Sequence, residues 1–302
     1  MGTETKIEWC DKTFNPWVGC AKISPACDHC YAESWAKRSG MVQWGPGAWR
    51  KRTSAANWHL PLKWDREAEK NGTQPRVFCA SLADVFDNAV PQEWRRDLFN
   101  LILSTPHLTW ILLTKRIGNV QAMLEATIPQ EMRNFPAHHP LSWPWPHVWL
   151  GATICNQDEA DRDIAKLLAV PAALHFVSIE PILGPVDVRK YLSRSNMPGL
   201  NMMPGFRDSM PGVDWVISGG ESGPHARPAH PDWFRSLRDQ CAVAGVPYLH
   251  KQNGEWVSAS EVSGPGRHYT FPDGATVRRV GKKLAGRALD CVVHDGLPRD
   301  PC

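Results

Sequence analysis

The sequence is short of tyrosine, of net charge and of long apolar runs, and each shortage narrows what the chain can be. Four tyrosines stand against fifteen tryptophans. An indole is costly to bury without a partner for its N–H, so many of these rings are expected on semi-exposed walls or stacking surfaces. Lys and Arg total 34 against 31 for Asp and Glu, a net charge of +3. Such a mild excess permits a polyanionic partner without demanding one. No stretch approaches the roughly 20 apolar residues of a membrane helix, and the opening MGTETKIEW lacks the apolar centre of a secretory signal. A soluble, cytoplasmic protein without membrane contact is expected. No repeat of fixed period is present, which argues against a solenoid. Nine cysteines in 302 residues are too sparse for a small disulfide scaffold. In a reducing compartment they read as ligands, catalytic groups or buried apolar residues.

What is there is an alternation of short apolar runs with helical patterns. Strands are expected near Phe14–Val18, Arg76–Ser81, Leu108–Thr114, His147–Thr153, Leu174–Ile179, Asp214–Ser218 and Val246–His250. Helices are expected near Tyr31–Ser39, Pro91–Ser104, Ile117–Glu125, Gln157–Leu168 and Pro231–Ala244. The last carries Trp233, Phe234, Leu237 and Cys241 on one face, with Pro231 in its first turn and Gly245 as its stop. Strands alternating with helices predict an α/β fold of parallel βα units, a partial or complete (β/α) barrel of the TIM type. The barrel is expected over residues 1–255, with irregular insertions near 40–66, 134–147 and 193–212. Residues 256–302 read as a disordered or decorated C-terminal extension.

The segment FNPWVGCAKISPACDHCYAE places Cys20, Cys27 and Cys30 in a C-x6-C-x2-C pattern between an expected strand and an expected helix. Thiolates are soft ligands that suit iron–sulfur clusters or zinc. Three ligands on a four-iron cluster would leave one iron open to a bound molecule. Zinc would need a fourth ligand, His29 or Cys10, and structural zinc sites usually carry a second close pair, which this sequence lacks. Three unrelated cysteines, two of them buried, is the third reading.

This segment resembles the cluster motif of radical S-adenosylmethionine (SAM) enzymes, in which three cysteines follow the first strand and an aromatic residue, here Tyr31, follows the last. The usual spacing is C-x3-C-x2-C, so the first gap here is longer. NPWVGC and CYA are particularly similar to the spore photoproduct lyase branch. Over nearly its full length the chain resembles a phage-associated, three-cysteine family of undefined function. The matching blocks are IEWCDKTFNPWVGC, VFCASLADVF, VWLGATICNQ, SIEPILGP, WVISGGESGPHARP and VGKKLAGRALD. The resemblance implies a radical SAM barrel with a [4Fe-4S] cluster on Cys20, Cys27 and Cys30, SAM as second cofactor and an external electron donor. It also points to a modified or damaged, thymine-derived base in DNA as substrate.

Active-site groups of parallel α/β barrels come from the C-terminal ends of strands. The expected strands run into Cys79, Ser81 and Asp84, then Lys115 and Arg116, then Thr153, then Glu180, then Glu221, then Lys251 and Gln252. By the resemblance, Ser81 and Lys115 contact SAM; Asp84 and Thr153, at neighbouring strand ends, are further candidate cofactor-binding residues. Cys79-Ala80-Ser81 resembles the lyase stretch whose cysteine gives a hydrogen atom to a substrate radical, which makes Cys79 a candidate donor; an ordinary buried strand cysteine is the alternative. Gly219–Glu221 resembles the GGE motif that meets the SAM amine, but it follows the sixth strand instead of the second. Glu221, like Glu180, is therefore expected as an active-site carboxylate of unassigned role.

Between Trp35 and Arg66, Trp35, Trp44, Trp49, Trp58 and Trp64 interleave with Lys37, Arg38, Arg50, Lys51, Arg52, Lys63 and Arg66. Rings that stack on bases and cations that meet phosphates are the two parts of a nucleic-acid groove. A solvated basic loop anchored by its tryptophans is the plainer reading. A second basic stretch runs through Arg278, Arg279, Lys282, Lys283 and Arg287. Two other classes fit the same residues: a zinc-containing nucleic-acid-binding module, and an inactive, cluster-bearing barrel that serves as a partner protein.

Overall fold

A computed structural model of the chain describes residue 5, residues 7–136, residue 139, residues 141–193 and residues 212–298. The apolar runs form strands buried on both faces, as a parallel sheet covered by helices requires. They are β1 (Lys12–Phe14), β4 (Arg76–Cys79), β5 (Thr109–Thr114), β6 (Val148–Ile154), β7 (Leu174–Ile179), β8 (Trp215–Gly219) and β9 (Tyr248–Gln252). Every pairing among these seven is parallel, in the order β1-β4-β5-β6-β7-β8-β9. β2 (Trp17–Val18) and β3 (Lys51–Arg52) form a separate antiparallel ribbon. Among the described residues β1 and β9 do not pair with each other, so the sheet is a partial (β/α) barrel.

The outer layer is built from α1 (Tyr31–Ser39), α2 (Ala55–Trp58), α3 (Leu60–Asn71), α4 (Gln92–Leu103), α5 (Ile117–Thr127), α6 (Gln130–Asn134), α7 (Gln157–Ala169) and α8 (Pro231–Ala244). Local chemistry sets several ends. Asn156 Oδ1 accepts from Glu159 N (2.9 Å) at the start of α7, and His230 Nδ1 accepts from Asp232 N (3.0 Å) at the start of α8. Gly40 and Gly245 adopt φ of 62° and 69° and stop α1 and α8. Residues outward on the strands, such as Val77, Leu112, Ile154 and Val177, pack with helix residues such as Leu98, Ile102, Leu124, Ile164 and Leu237. Inward residues form a second core of Phe78, Ile111, Trp149, Phe176, Trp215, Ile217 and Leu249, closed by Trp9. Gly151 on β6 is what lets Phe176 lie flat here, since a Cβ at that position would come within 2.3 Å of the ring.

Three expectations are refined. Residues 40–66 are not wholly irregular: they hold β3, α2 and the start of α3. Pro61 sits in the first turn of α3, Gly72 stops it, and Trp64 and Ala68 are buried; the Gly, Pro and Trp residues upstream hid that onset. Of the two readings of the C-terminal extension the decorated one holds: it is folded through residue 298. β10 (Trp256–Ser258), β11 (Arg267–Thr270) and β12 (Thr276–Arg279) form an antiparallel sheet, followed by α9 (Lys282–Ala285) and a hairpin of β13 (Ala288–Leu289) and β14 (Val292–Val293). It is tied to the barrel where Trp215 Nε1 donates to Gly296 O (2.9 Å) and Asn253 Nδ2 donates to Ala285 O (2.9 Å). Finally, eight of the fifteen tryptophans are buried (9, 17, 64, 110, 145, 149, 215 and 256), so core packing takes about half of the indoles and the other seven are half-buried or exposed as expected. Most of the loop expected near 193–212 lies outside the described residues, as does part of the 134–147 segment. Among the described residues no helix is long and apolar enough to cross a membrane.

Candidate active site

Side chains alternate across a strand, so each strand that sends an aromatic or aliphatic residue into the inner core also sends later residues into the space above it. That space is a cavity of about 640 Å³ at the C-terminal ends of the strands, within the range of roughly 300–1,000 Å³ usual for small-molecule sites. Thr153, Ser178 and Lys251 line it from the sheet, and Ser81, Asp84, Lys115, Glu180 and Glu221 from the loops that follow. Cys20, Cys27 and Cys30 line the same cavity, with Tyr31, Asn15 and Trp44.

The cysteine loop is mostly irregular, with one 3-10 turn over Pro25–Cys27 that Ser24 caps. All three thiols are free; Cys27 is buried and Cys20 and Cys30 are half-buried. Burial pushes the Cys20 thiol up to about 11, a rise that Arg116 tempers. The guanidinium stands 3.3 Å from Cys20 Sγ and donates to Ala21 O (2.9 Å). The Trp-rich segment is held against the loop by Gly45 N, which donates to Cys20 O (3.0 Å), and against the segment after β4 by the buried Arg50–Asp87 ion pair (2.7 Å). Trp44 faces the cavity, Arg52 lies 4.3 Å over the Trp58 ring, and Trp49 is 90% exposed.

The polar residues at the strand ends divide by what they are already bonded to. Asp84 accepts from Thr114 Oγ1 (2.7 Å), Lys115 N (3.1 Å) and Arg116 (3.3 Å), so it orders the β5 exit. Ser81 exchanges hydrogen bonds with Asn15, whose Oδ1 also accepts from Leu82 N (2.7 Å). Glu180 accepts from Lys251 Nζ and from Gln252 Nε2, both at 2.9 Å. Glu221 takes a bidentate Arg227 at 2.6 and 2.8 Å and lies 3.1 Å from His29 Nδ1. Burial alone would raise the Glu221 carboxyl, but Arg227 outweighs it and holds the group below its usual range. Lys115, the first residue after β5, lines the cavity.

Nine of the ten residues singled out from sequence thus share one cavity. Cys79 does not. It is 0% exposed and packs in the outer core, because it alternates with the inward-facing Phe78, and burial pushes its thiol well above the usual value. Cys10 and His29, considered for zinc, also part company: Cys10 lies in the inner core beneath the cavity, and His29 faces Glu221. Sequence reasoning missed Arg227, although it stands in the block WVISGGESGPHARP, and Asn15, which NPW contains. It also missed that Lys282 of the extension and Thr5, Ile7, Glu8 and Trp9 of the N-terminal segment line the cavity. Of the second basic stretch, Arg279 is spent on the carbonyls of Gly223 and Pro224 (3.0 and 2.8 Å).

Three solved structures of spore photoproduct lyase are similar in fold at low identity. A variant is 11% identical with a TM-score of 0.40, covering 89% of this chain and 68% of that one. A second variant, with bound AdoMet and dinucleoside spore photoproduct, is 10% identical at 0.39 with the same coverage. The lyase complexed with dinucleoside spore photoproduct is 10% identical at 0.39, covering 92% and 72%. No curated protein matches the chain. Residues 4–298 match the family described as "Protein of unknown function (DUF5131)", and the chain belongs to that family.

Proposed function

We propose that the protein is a radical SAM enzyme whose cluster is held by Cys20, Cys27 and Cys30 and whose substrate is a base in nucleic acid. The observation that carries this reading is the convergence of three free thiols with Ser81, Lys115 and Thr153 in one cavity above a parallel sheet.

The donor set fits an iron–sulfur cluster better than one zinc ion. Zn–S bonds of about 2.3 Å in a tetrahedron would put the sulfurs about 3.8 Å apart. Among the described residues the only three-group set whose ligand atoms lie within 4.8 Å of one another is His230, Asp232 and Asp273, so the three thiols do not meet that condition. Thiolates on a four-iron cluster bind different irons and stand farther apart. With cluster and SAM bound, the cofactors would supply the reductive cleavage of SAM to methionine and a 5′-deoxyadenosyl radical.

The chain's own residues bind and orient. Lys115 is the cation for the SAM carboxylate, and the Asn15–Ser81 pair offers polar atoms beside it. The Glu180–Lys251–Gln252 group stands at the opposite side of the sheet and is assigned to the substrate. The inner core below keeps water out. Trp44 at the cavity and the exposed Trp49, with Lys37, Arg38 and Lys51 nearby in sequence, supply stacking and charge for a nucleic-acid strand, whose target base would be extruded into the mouth. Cys79 is left out of this assignment.

Anaerobically reconstituted protein should contain iron and acid-labile sulfide and release 5′-deoxyadenosine from SAM under a strong reductant. Cys30→Ala should abolish both while leaving the fold intact. Zinc without sulfide would defeat the reading. Binding to oligonucleotides should weaken steeply with salt; no binding at low ionic strength would remove the nucleic-acid half.

A further inference from the structure

The cysteine loop has little to hold its own shape. Residues 21–30 make one 3-10 turn, and apart from Ala26 and Cys27 their side chains are exposed or half-buried. Polar anchors reach it from residues distant in sequence: besides Arg116 on Ala21 O (2.9 Å) and Glu221 beside His29 Nδ1 (3.1 Å), two hold the turn that carries Cys27. On one side Ser24 Oγ donates to Glu159 Oε1 (2.6 Å), and the other oxygen of Glu159 accepts from Cys155 N (2.9 Å). On the other side stands Arg227, some two hundred positions along the chain. Its Nη1 donates to Asp28 Oδ2 (3.0 Å) and its Nη2 to Pro25 O (2.9 Å).

Arg227 is itself held by Glu221, which accepts from Nε (2.8 Å), Nη2 (2.6 Å) and the Arg227 backbone N–H (2.8 Å). Glu221 is only 5% exposed, and its backbone is fixed to the segment after β9. Glu255 N donates to Glu221 O (2.9 Å) and Gly220 N to Gln252 O (2.9 Å). The approach is so close that a Cβ on Gly220 would meet Asn253 O at 2.0 Å, so this position must be glycine. The chain of contacts therefore runs from the sheet through Glu221 and Arg227 to the turn that carries Cys27. A planar, five-donor guanidinium can serve a carboxylate fork and two further acceptors at once, which an ammonium cannot.

We infer that Arg227 is a positioning residue for the cysteine loop, clamping the Pro25–Asp28 turn to the end of β8 so that the loop is shaped before iron arrives. Glu221 is then the counter-carboxylate of that clamp and not a base facing substrate. The functional context rests on the cluster reading above; the clamp itself is a property of the metal-free chain.

The test is hydrogen exchange of the 24–30 segment in metal-free protein, followed by reconstitution and electron paramagnetic resonance. Arg227→Gln should speed exchange there by about tenfold or more, as local opening does, while β6 and β7 keep their protection. Arg227→Lys should fail to restore it, and the reconstituted variants should show lower iron content or an altered cluster signal. Should Arg227→Gln unfold the barrel, Asp28→Ala, at a residue with a half-exposed side chain, should give a smaller acceleration in the same segment. Unchanged exchange and an unchanged signal in both variants would overturn the clamp and leave the cluster reading standing. Accelerated exchange in a protein whose wild type takes up no iron would do the reverse.

Discussion

Low on the strands, the inward side chains are Phe78, Ile111, Trp149, Phe176 and Trp215; higher on the same strands or just beyond them they are Ser81, Lys115, Thr153, Ser178, Glu180 and Glu221. The two zones share a backbone and an alternation, yet they are built for opposite ends. The lower zone is dry and aromatic. Trp149 meets Trp215 edge-on at 6.0 Å and Trp9 meets Phe78 at 4.5 Å. It even buries the Trp9 and Trp149 Nε1 groups without a protein partner, a cost that large apolar burial outweighs. The upper zone spends its carboxylates on fixed partners and leaves space. Apolar packing is concentrated below and polar, cavity-lining groups above, on one set of strands.

That division can be broken from either side. The largest effect on folding should come from Trp149→Ala, which empties part of the dry zone and should cost about 3–5 kcal/mol. Denaturant unfolding measures it, and iron uptake per folded molecule should be unchanged. A loss of iron binding at full folding would show that the two zones are not separable.

Acid should come next. His250 is wholly buried, between Ser218 Oγ and Asn253 Oδ1 at 3.0 Å each, and burial lowers its pKa to about 4. Its folded pKa lies below the unfolded value of 6.5, so between those values the unfolded chain binds more protons. Its contribution is therefore complete above pH 6.5 and is lost progressively as the pH falls towards 4, by about 3 kcal/mol in all. Melting curves across that window should fall with acid in the wild type and flatten in His250→Gln. An equal slope in both would assign the acid sensitivity to other groups.

The smallest stability change should come from the upper zone. Lys115→Ala should stay within about 0.5 kcal/mol of wild type yet weaken SAM binding by about tenfold or more, the loss of a charge pair. Equilibrium binding to the reconstituted protein would show it. Unchanged affinity would move the carboxylate contact to another cation of the cavity, Lys282.

The helices Tyr31–Ser39 and Pro231–Ala244 were legible to the residue, because caps, prolines and terminal glycines are local signals. Six of the seven strands were legible because a buried parallel sheet leaves continuous apolar runs; the first was misplaced, since Phe14–Val18 takes in only the end of β1 and then the separate ribbon strand β2. Helix α3 and the extension were less so, since their stability comes from packing onto elements far away in sequence. Cys79 shows the limit at the level of one atom. Ser81, two positions on, lines the cavity, but strand parity turns Cys79 into the outer core, the plainer of its two readings, and a motif does not carry parity.

The sequence by itself determined the periodicity of the strands and helices, the three-cysteine pattern and the polar residues at successive strand ends. Each is set by bonds and preferences within a few residues. Only the tertiary structure decided that Arg227 reaches Pro25 and Asp28, that Asn15 meets Ser81, that Lys282 joins the cavity and that Cys79 does not. These depend on how a curled sheet brings distant strand ends together, and hydrogen bonds between such ends leave no spacing in the chain by which to find them.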